Sequence, residues 1–297
     1  MLLVATVAML FSCSKSDTPE SQMVDVKVAL SGVDIQVTPE DQEGMAKSTT
    51  AEAGVKRIAL SIYDLNGNLI QSATQNQDVE SATFGQPMTF RIPVGTYKFV
   101  AVAHTVAATT DPVAAISSAT EFSLGSAIVG NPTYSTVQTV TISGNTTQSV
   151  TIDMGTRKNA TFAAWFTDDN PSDVAKLQLI VSPSSSAYTD LLVNPSTGFA
   201  SSQWKYEKSF DLSALGITTV NNCIFSLPLI LTAASQSLDA TINALSATDE
   251  ILYTRTLTNV PLQQGHKTTA RGTFFSPEVT STFTFDITEV TDTISLD

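Results

Sequence analysis

The sequence predicts an all-β protein built as two tandem β-sandwich domains. Three observations carry that expectation. Short runs of alternating apolar and polar residues recur along the chain with turn residues between them, and no long stretch keeps a helical period. Charged residues make up 14% of the chain, against about a quarter in an average soluble protein. Its polar positions therefore fall largely to Ser, Thr, Asn and Gln, and β-branched Thr suits a pleated surface. Finally, 297 residues with 42% hydrophobic content are enough for two cores, since single domains usually run to about 100–200 residues.

The elements follow in order. VDVKVAL (24–30) puts Val24, Val26, Val28 and Leu30 on one face of a strand. A long polar stretch, 38–54, separates it from the strand IALSIYD (58–64). Loops of that length inside a domain are usually functional or linker-like. Leu65-Asn66-Gly67-Asn68 then supplies an Asn-Gly turn, the strongest short hairpin signal, with LIQSA returning. Residues 88–104 hold two strands about the turn Pro93-Val94-Gly95. Residues 105–133, rich in Ala, Ser and Thr, read as loop with one short helix. STVQTVTI (135–142) and QSVTIDM (148–154) make a further hairpin.

The pattern restarts after GTRKN (155–159). Strands are expected at 160–166, 176–182, 204–210, 223–231, 237–245, 251–257, 266–275 and 282–288, and DLSALG (211–216) as a helical turn or two. The two stretches match in length and strand number. This places domains at 24–155 and 156–297.

The first residues are of another kind. Met1 to Phe11 is apolar apart from Thr6. As a helix it would rise about 16 Å, roughly half the hydrocarbon core of a bilayer. That is the length of a signal-peptide core and too short to span. Leu10-Phe11-Ser12-Cys13 resembles a bacterial lipobox, which implies a signal peptide at 1–12 and acylation of Cys13. Two or three acyl chains hold stably where one does not. Residues 13–23 then form a polar tether. The alternatives are an ordinary secretory signal cleaved elsewhere, or a bridge from Cys13 to Cys223, which would tie the leader to a core strand. Cys223 itself sits in the apolar run CIFSLPLIL and reads as a small core hydrophobe.

Charge and composition exclude some functions. With 15 basic and 28 acidic residues, a formal net charge of −13 and no basic cluster, the chain lacks the cations that neutralise phosphates, so no nucleic-acid partner is expected. There are two histidines, His104 and His266, and no G-x-S-x-G elbow. The carboxylate pairs Asp168-Asp169 and Asp249-Glu250 sit in turn-like sequence, where such residues bond their own backbone. DLNGN (64–68) mimics the start of a calcium loop, but its twelfth position, where the bidentate Glu belongs, is Gln75. No Cys/His cluster suits zinc. Neither enzyme, metal nor cofactor is expected. Trp165 lies in an apolar strand and reads as core, whereas Trp204 alternates with Tyr206 and could face outward as a glycan contact.

The lipobox, VDVKVAL and its loop, RIALSIYDLNGNLI, IPVGTYKFVAVAH and NVPLQQGHKTTARGTFF occur together in an order that resembles the fimbrillins and fimbrial anchor or accessory lipoproteins of Bacteroidales. The resemblance covers nearly the whole chain. It implies transthyretin-like sandwiches, transport as a lipoprotein to the outer membrane, and partners among other fimbrial subunits and host or bacterial surface receptors. It also implies proteolysis after a basic residue in the loop that follows the first strand. Here the candidates are Lys47 and Arg57. The strand Val24, Val26, Val28, Leu30 would then leave a groove, to be filled by a donor strand from a neighbouring subunit. The tail bearing Val290, Ile294 and Leu296 is the candidate donor. The competing expectation is a surface glycan-binding lipoprotein of a nutrient-uptake system, with Trp204 as its contact.

Overall fold

The computed structural model describes residues 22–32, 47–48, 54–77, 83–106, 114–144, 146–155, 157–184, 190–276 and 283–290. Among them every regular element is a β-strand. The first half of the chain contributes β1 (Met23–Ser31), β2 (Lys47–Ser48), β3 (Arg57–Asp64), β4 (Leu69–Asn76) and β5 (Met88–Pro93). It continues with β6 (Gly95–His104), β7 (Ala115–Ser118), β8 (Glu121–Gly125), β9 (Thr133–Ile142) and β10 (Gln148–Asp153). The second half contributes β11 (Ala160–Phe166), β12 (Lys176–Val181), β13 (Asp190–Val193), β14 (Tyr206–Asp211) and β15 (Cys223–Leu229). It ends with β16 (Ser235–Leu245), β17 (Ile251–Gln263), β18 (His266–Gly272) and β19 (Thr284–Glu289).

Two sheets share the smaller core. One has the order β10-β1-β5, the other β4-β3-β6-β9. Val26, Leu60, Ile62, Phe90, Phe99 and Ile152 meet between them. Alternation fixes this packing, because residues two apart share a face and a one-residue slip would turn every apolar side chain outward. β3 departs from simple alternation: all of it but Asp64 is buried. Its outer face is covered from β7, where the Tyr63 hydroxyl donates to Ile116 O at 3.2 Å and Val100, Ala119 and Ile116 close round it.

The larger core lies between β19-β18-β11-β15-β2 and β14-β12-β16-β17. Phe162, Phe166, Leu179, Phe225 and Ile242 are among its buried residues. Chain order and core membership part company between 114 and 128. Residues 105–133 were expected as loop with a short helix. They hold β7 and β8, which pair with each other and, through β8, with β13. Phe122, Leu124 and Ile128 pack into the larger core. DLSALG (211–216) is turn, with Ala214 N donating to Asp211 Oδ1 at 3.1 Å.

A polar junction joins the halves. Asn159 Oδ1 accepts from Thr133 N at 2.6 Å, and its Nδ2 donates to Asn131 O at 3.2 Å. Ser135 Oγ donates to Pro195 O at 2.9 Å. Beside them Arg157 is buried and donates from Nη2 to Thr161 Oγ1 at 3.0 Å.

Candidate functional site

β1 is the middle strand of its sheet. It runs parallel to β10, with Val28 opposite Val150, and antiparallel to β5, with Val26 opposite Phe90. Val24, Val26 and Val28 are 2%, 0% and 1% exposed. Leu30 is half-buried against the same core. The alternate residues Asp25 and Lys27 face solvent. The strand therefore contributes two hydrogen-bonded ladders and a three-valine ridge to the core. The walls that would face an empty site are Met88, Phe90 and Ile92 of β5 with Val150 and Ile152 of β10.

The segment after β1 re-enters the described residues at β2. There Lys47 and Ser48 pair in parallel with Cys223 and Ile224 of β15, so this segment reaches the sheet of the other half. Arg57 is placed differently. It is 3% exposed and pairs with Asn76 on one side and His104 on the other. A protease reaches the bond after Arg57 only once β3 has left its sheet. Cys13 lies outside the described residues.

At the far end of the chain, β19 pairs with β18 and is the outermost strand. All six of its residues are exposed. Val290 follows, half-buried, with its N–H donating to Gly265 O at 2.8 Å. Ile294 and Leu296 lie outside the described residues.

The remaining candidate residues serve the fold. Trp204 is 6% exposed and packs in the larger core, so its ring offers no face to a sugar; this corrects the glycan-contact expectation. The alternation with Tyr206 is real, but both side chains point inward. Trp165, expected in the core, is half-buried on the opposite face of β11, with the Arg271 guanidinium 4.2 Å from its ring centre. Cys223 is buried, as expected, with Sγ 3.5 Å from Thr219 O.

Asp168 accepts from the N–H groups of Phe274, Phe275 and Ser276 at 2.7–3.0 Å. Its neighbour Asp169 accepts from Thr219 Oγ1 at 2.7 Å. The two adjacent carboxylates thus pin different segments. Asp249 pairs with Lys176 at 2.7 Å. Asp64 folds into its own turn, accepting from Asn66 N and Asn68 N at 2.9 and 2.8 Å. The Asn68 side-chain and backbone bonds hold its carboxyl below the usual range. Gln75 spans a loop, donating to Gln86 O and accepting from Gly85 N, both at 2.9 Å. His266 Nδ1 lies 2.9 Å from Gln264 O, within the β17–β18 turn. His104 is fully buried and its pKa is drawn down to about 4, by burial first and the Arg57 charge second.

A family model for the fimbrillin-A associated anchor proteins Mfa1 and Mfa2 matches residues 15–213. The chain belongs to this family. The match takes in β1, its groove and the start of the second half, and it makes the chain a fimbria-associated protein of the cell surface. A search among curated proteins found no match. Several solved structures are similar to this family member. A candidate polysaccharide-binding protein of Bacteroides thetaiotaomicron is 12% identical with a TM-score of 0.46, over 91% of this chain and 99% of that one. A fimbrial assembly protein of Parabacteroides distasonis is 10% identical with a TM-score of 0.45, over 90% and 96%. A candidate cell adhesion protein of Bacteroides uniformis is 12% identical with a TM-score of 0.44, over 91% and 100%.

That β1 is a strand with one buried face was legible from its alternating valines. Its central position was not, because the parallel partner β10 lies more than 100 residues away in sequence. Nor was there a signal for the burial of Arg57, since arginine is seldom fully buried.

Proposed function

We propose that this chain is a structural or adhesive subunit of a fimbrium, made as a precursor anchored to the outer membrane through acylated Cys13 and joined to its neighbours by strand addition. The observation that carries the reading is β1: a short strand near the chain start, followed by a long connection, that fills the middle of a sheet. Burying each of its three valines is worth about 1.5–3 kcal/mol. Together they approach the net stability of a typical domain, which is about 5–15 kcal/mol. A half that lost β1 and gained nothing would stand close to unfolding.

An incoming strand with apolar residues two apart would restore both ladders and the ridge, which is β-augmentation. The tail beginning at Val290 is the candidate donor, because β19 before it is held by a single ladder. Cleavage at Lys47 would separate β1 from the rest while leaving β3 in its sheet. The work of such a protein is holding rather than catalysis, and a surface receptor is a further expected partner.

The test is mass spectrometry of the mature N-terminus on cells, with assembly followed in parallel. A polymerised subunit starts between residues 48 and 58. An anchor keeps acylated Cys13 and β1. A mature chain that keeps β1 without a lipid and never enters larger assemblies would sink the proposal.

A further inference from the structure

Four of the large apolar side chains that stand in solvent gather at one end of the first half. Leu65 and Leu69 flank the β3–β4 turn and are 59% and 55% exposed. Val94 forms the β5–β6 turn and Met23 opens β1, and both are exposed. Strand pairing brings them together. Met23 lies opposite Pro93, and Val94 N donates to Gln22 O at 2.9 Å. Asp64, which begins the β3–β4 turn, lies opposite Tyr97 at the start of β6. Gln71 Nε2 crosses to Arg91 O at 3.1 Å.

The same end is poor in charge. The connections 65–68, 94 and 143–147 contain no Asp, Glu, Lys or Arg, in a chain with 43 such residues (15 basic plus 28 acidic). The nearby Asp64 carboxylate is already occupied by Asn66 and Asn68. Asp25 and Arg91 oppose each other across the ladder and cancel. The second half attaches at the opposite end, where Arg57, His104 and Thr133 line up and Thr133 meets Asn159.

The chain itself points to an occupant. Gln22 leaves this end, and nine peptide steps (22 − 13) reach Cys13. Fully extended they span at most about 30 Å. We infer that this end, through Leu65, Leu69, Val94 and Met23, rests on the lipid bilayer surface when the chain is tethered at Cys13. The inference rests on the lipid-anchored reading above. Apolar side chains on connections that carry no charge enter the headgroup boundary while the Asp64 carboxylate stays hydrogen-bonded within its own turn, and a covalent lipid supplies the second attachment that stable membrane binding needs. The second half then points away from the membrane, toward other subunits.

The experiment imposes the tether. The chain is coupled through Cys13 to a maleimide-bearing lipid in phosphatidylcholine vesicles, and Leu65→Trp reports on contact. Trp204 is buried and Trp165 belongs to the distant half, so the parent chain is the control. Brominated phosphatidylcholine should quench the introduced indole, because an interfacial apolar face sits about 5–10 Å into the headgroup and acyl boundary, and leave the parent unchanged. Adding Leu69→Ser and Val94→Ser should reverse most of that quenching with the fold and tether intact. Unquenched emission overturns the inference. So does a blue shift that rises with protein concentration without lipid, which would assign the patch to a second copy. Mass spectrometry of cell-derived chain tests Cys13 acylation separately: quenching with an unacylated native Cys13 removes the anchor, and the inference about the tethered chain with it, while leaving strand addition to its own assembly test.

Discussion

β1 and β19 lie near the two ends of the described chain and are both short alternating strands, yet they are held in opposite ways. β1 has a partner on each side and three valines in the core. β19 has one partner, and every side chain is exposed. The apolar residues of β19 are on the correct face: Phe285 and Ile287 lie opposite Ala270 and Thr268, which are buried. The difference is position. β17 of the facing sheet lies against β18, and β19 is one strand further out, beyond cover. A strand at the centre holds its half together. A strand at the rim can leave and be offered to another chain, because its unpaired edge and apolar side chains are already presented.

The largest expected effect breaks the centre. Val26→Asp puts a carboxylate at a position with no solvent and no counter-charge, and should cost about 4 kcal/mol or more. Urea unfolding monitored on the first half should show it. Ile287→Asp, the matched change in β19, should stay within about 0.5 kcal/mol because the residue is already in water. Equal losses at the two positions would end the comparison.

Acid sharpens the same contrast. His104 is neutral when folded, with its pKa near 4 against an ordinary value of 6.5. Its folded pKa lies below the unfolded one, so the unfolded chain takes up the proton first. The stability it supports is complete above pH 6.5, falls as pH drops, and levels off below about pH 4. Two and a half units correspond to a loss of about 3 kcal/mol. Hydrogen exchange should therefore quicken in β3, β6 and the β1 groove across that range, before the β18–β19 ladder responds. His104→Gln should flatten the pH slope; a slope unchanged in that variant would exclude this histidine as the source.

The hinge of β19 gives a smaller effect. Asp168 holds three consecutive N–H groups just before the segment that leads to β19. Hydrogen bonds to a charged group are each worth about 1.5–3 kcal/mol, and a shared carboxylate divides them. Asp168→Ala should cost about 2 kcal/mol and raise exchange at Phe274, Phe275 and Ser276. Exchange in β1 should not change.

Much of this contrast could not be read from the sequence. Val24, Val26 and Val28 and Phe283, Phe285 and Ile287 show the same period-two pattern, and both predict strands. Burial depends on what lies opposite, which no local pattern encodes. The same blindness affects Trp204, whose alternation fitted either face. β13 and β7 were missed because four residues carry too little periodicity, and the pairing of β13 with β8 runs across the two halves. The turns were legible because Asn66-Gly67 and Pro93-Val94-Gly95 are specified by their own backbone demands, with Gly67 at φ 89°.

The smallest expected effect tests whether β19 is dispensable. Ending the chain after Ser276 removes the β18–β19 ladder, the Val290 bond to Gly265 O and the contact of Phe283 with Arg255, and leaves the β18–β11 ladder in place. Each net hydrogen bond is worth about 0.5–1.5 kcal/mol. Against this stands the backbone entropy of ordering six residues, about 1–2 kcal/mol each. The two nearly cancel, because the six strand residues are exposed and only the flanking Phe283 and Val290 are partly buried in return. Truncation should therefore shift the urea midpoint by the equivalent of about 1 kcal/mol or less, while Val26→Ala alone costs about 2 kcal/mol. A truncated chain that unfolds as readily as the β1 variants would mean that β19 is part of the core's support, and it could not then be spared to fill a neighbour's groove.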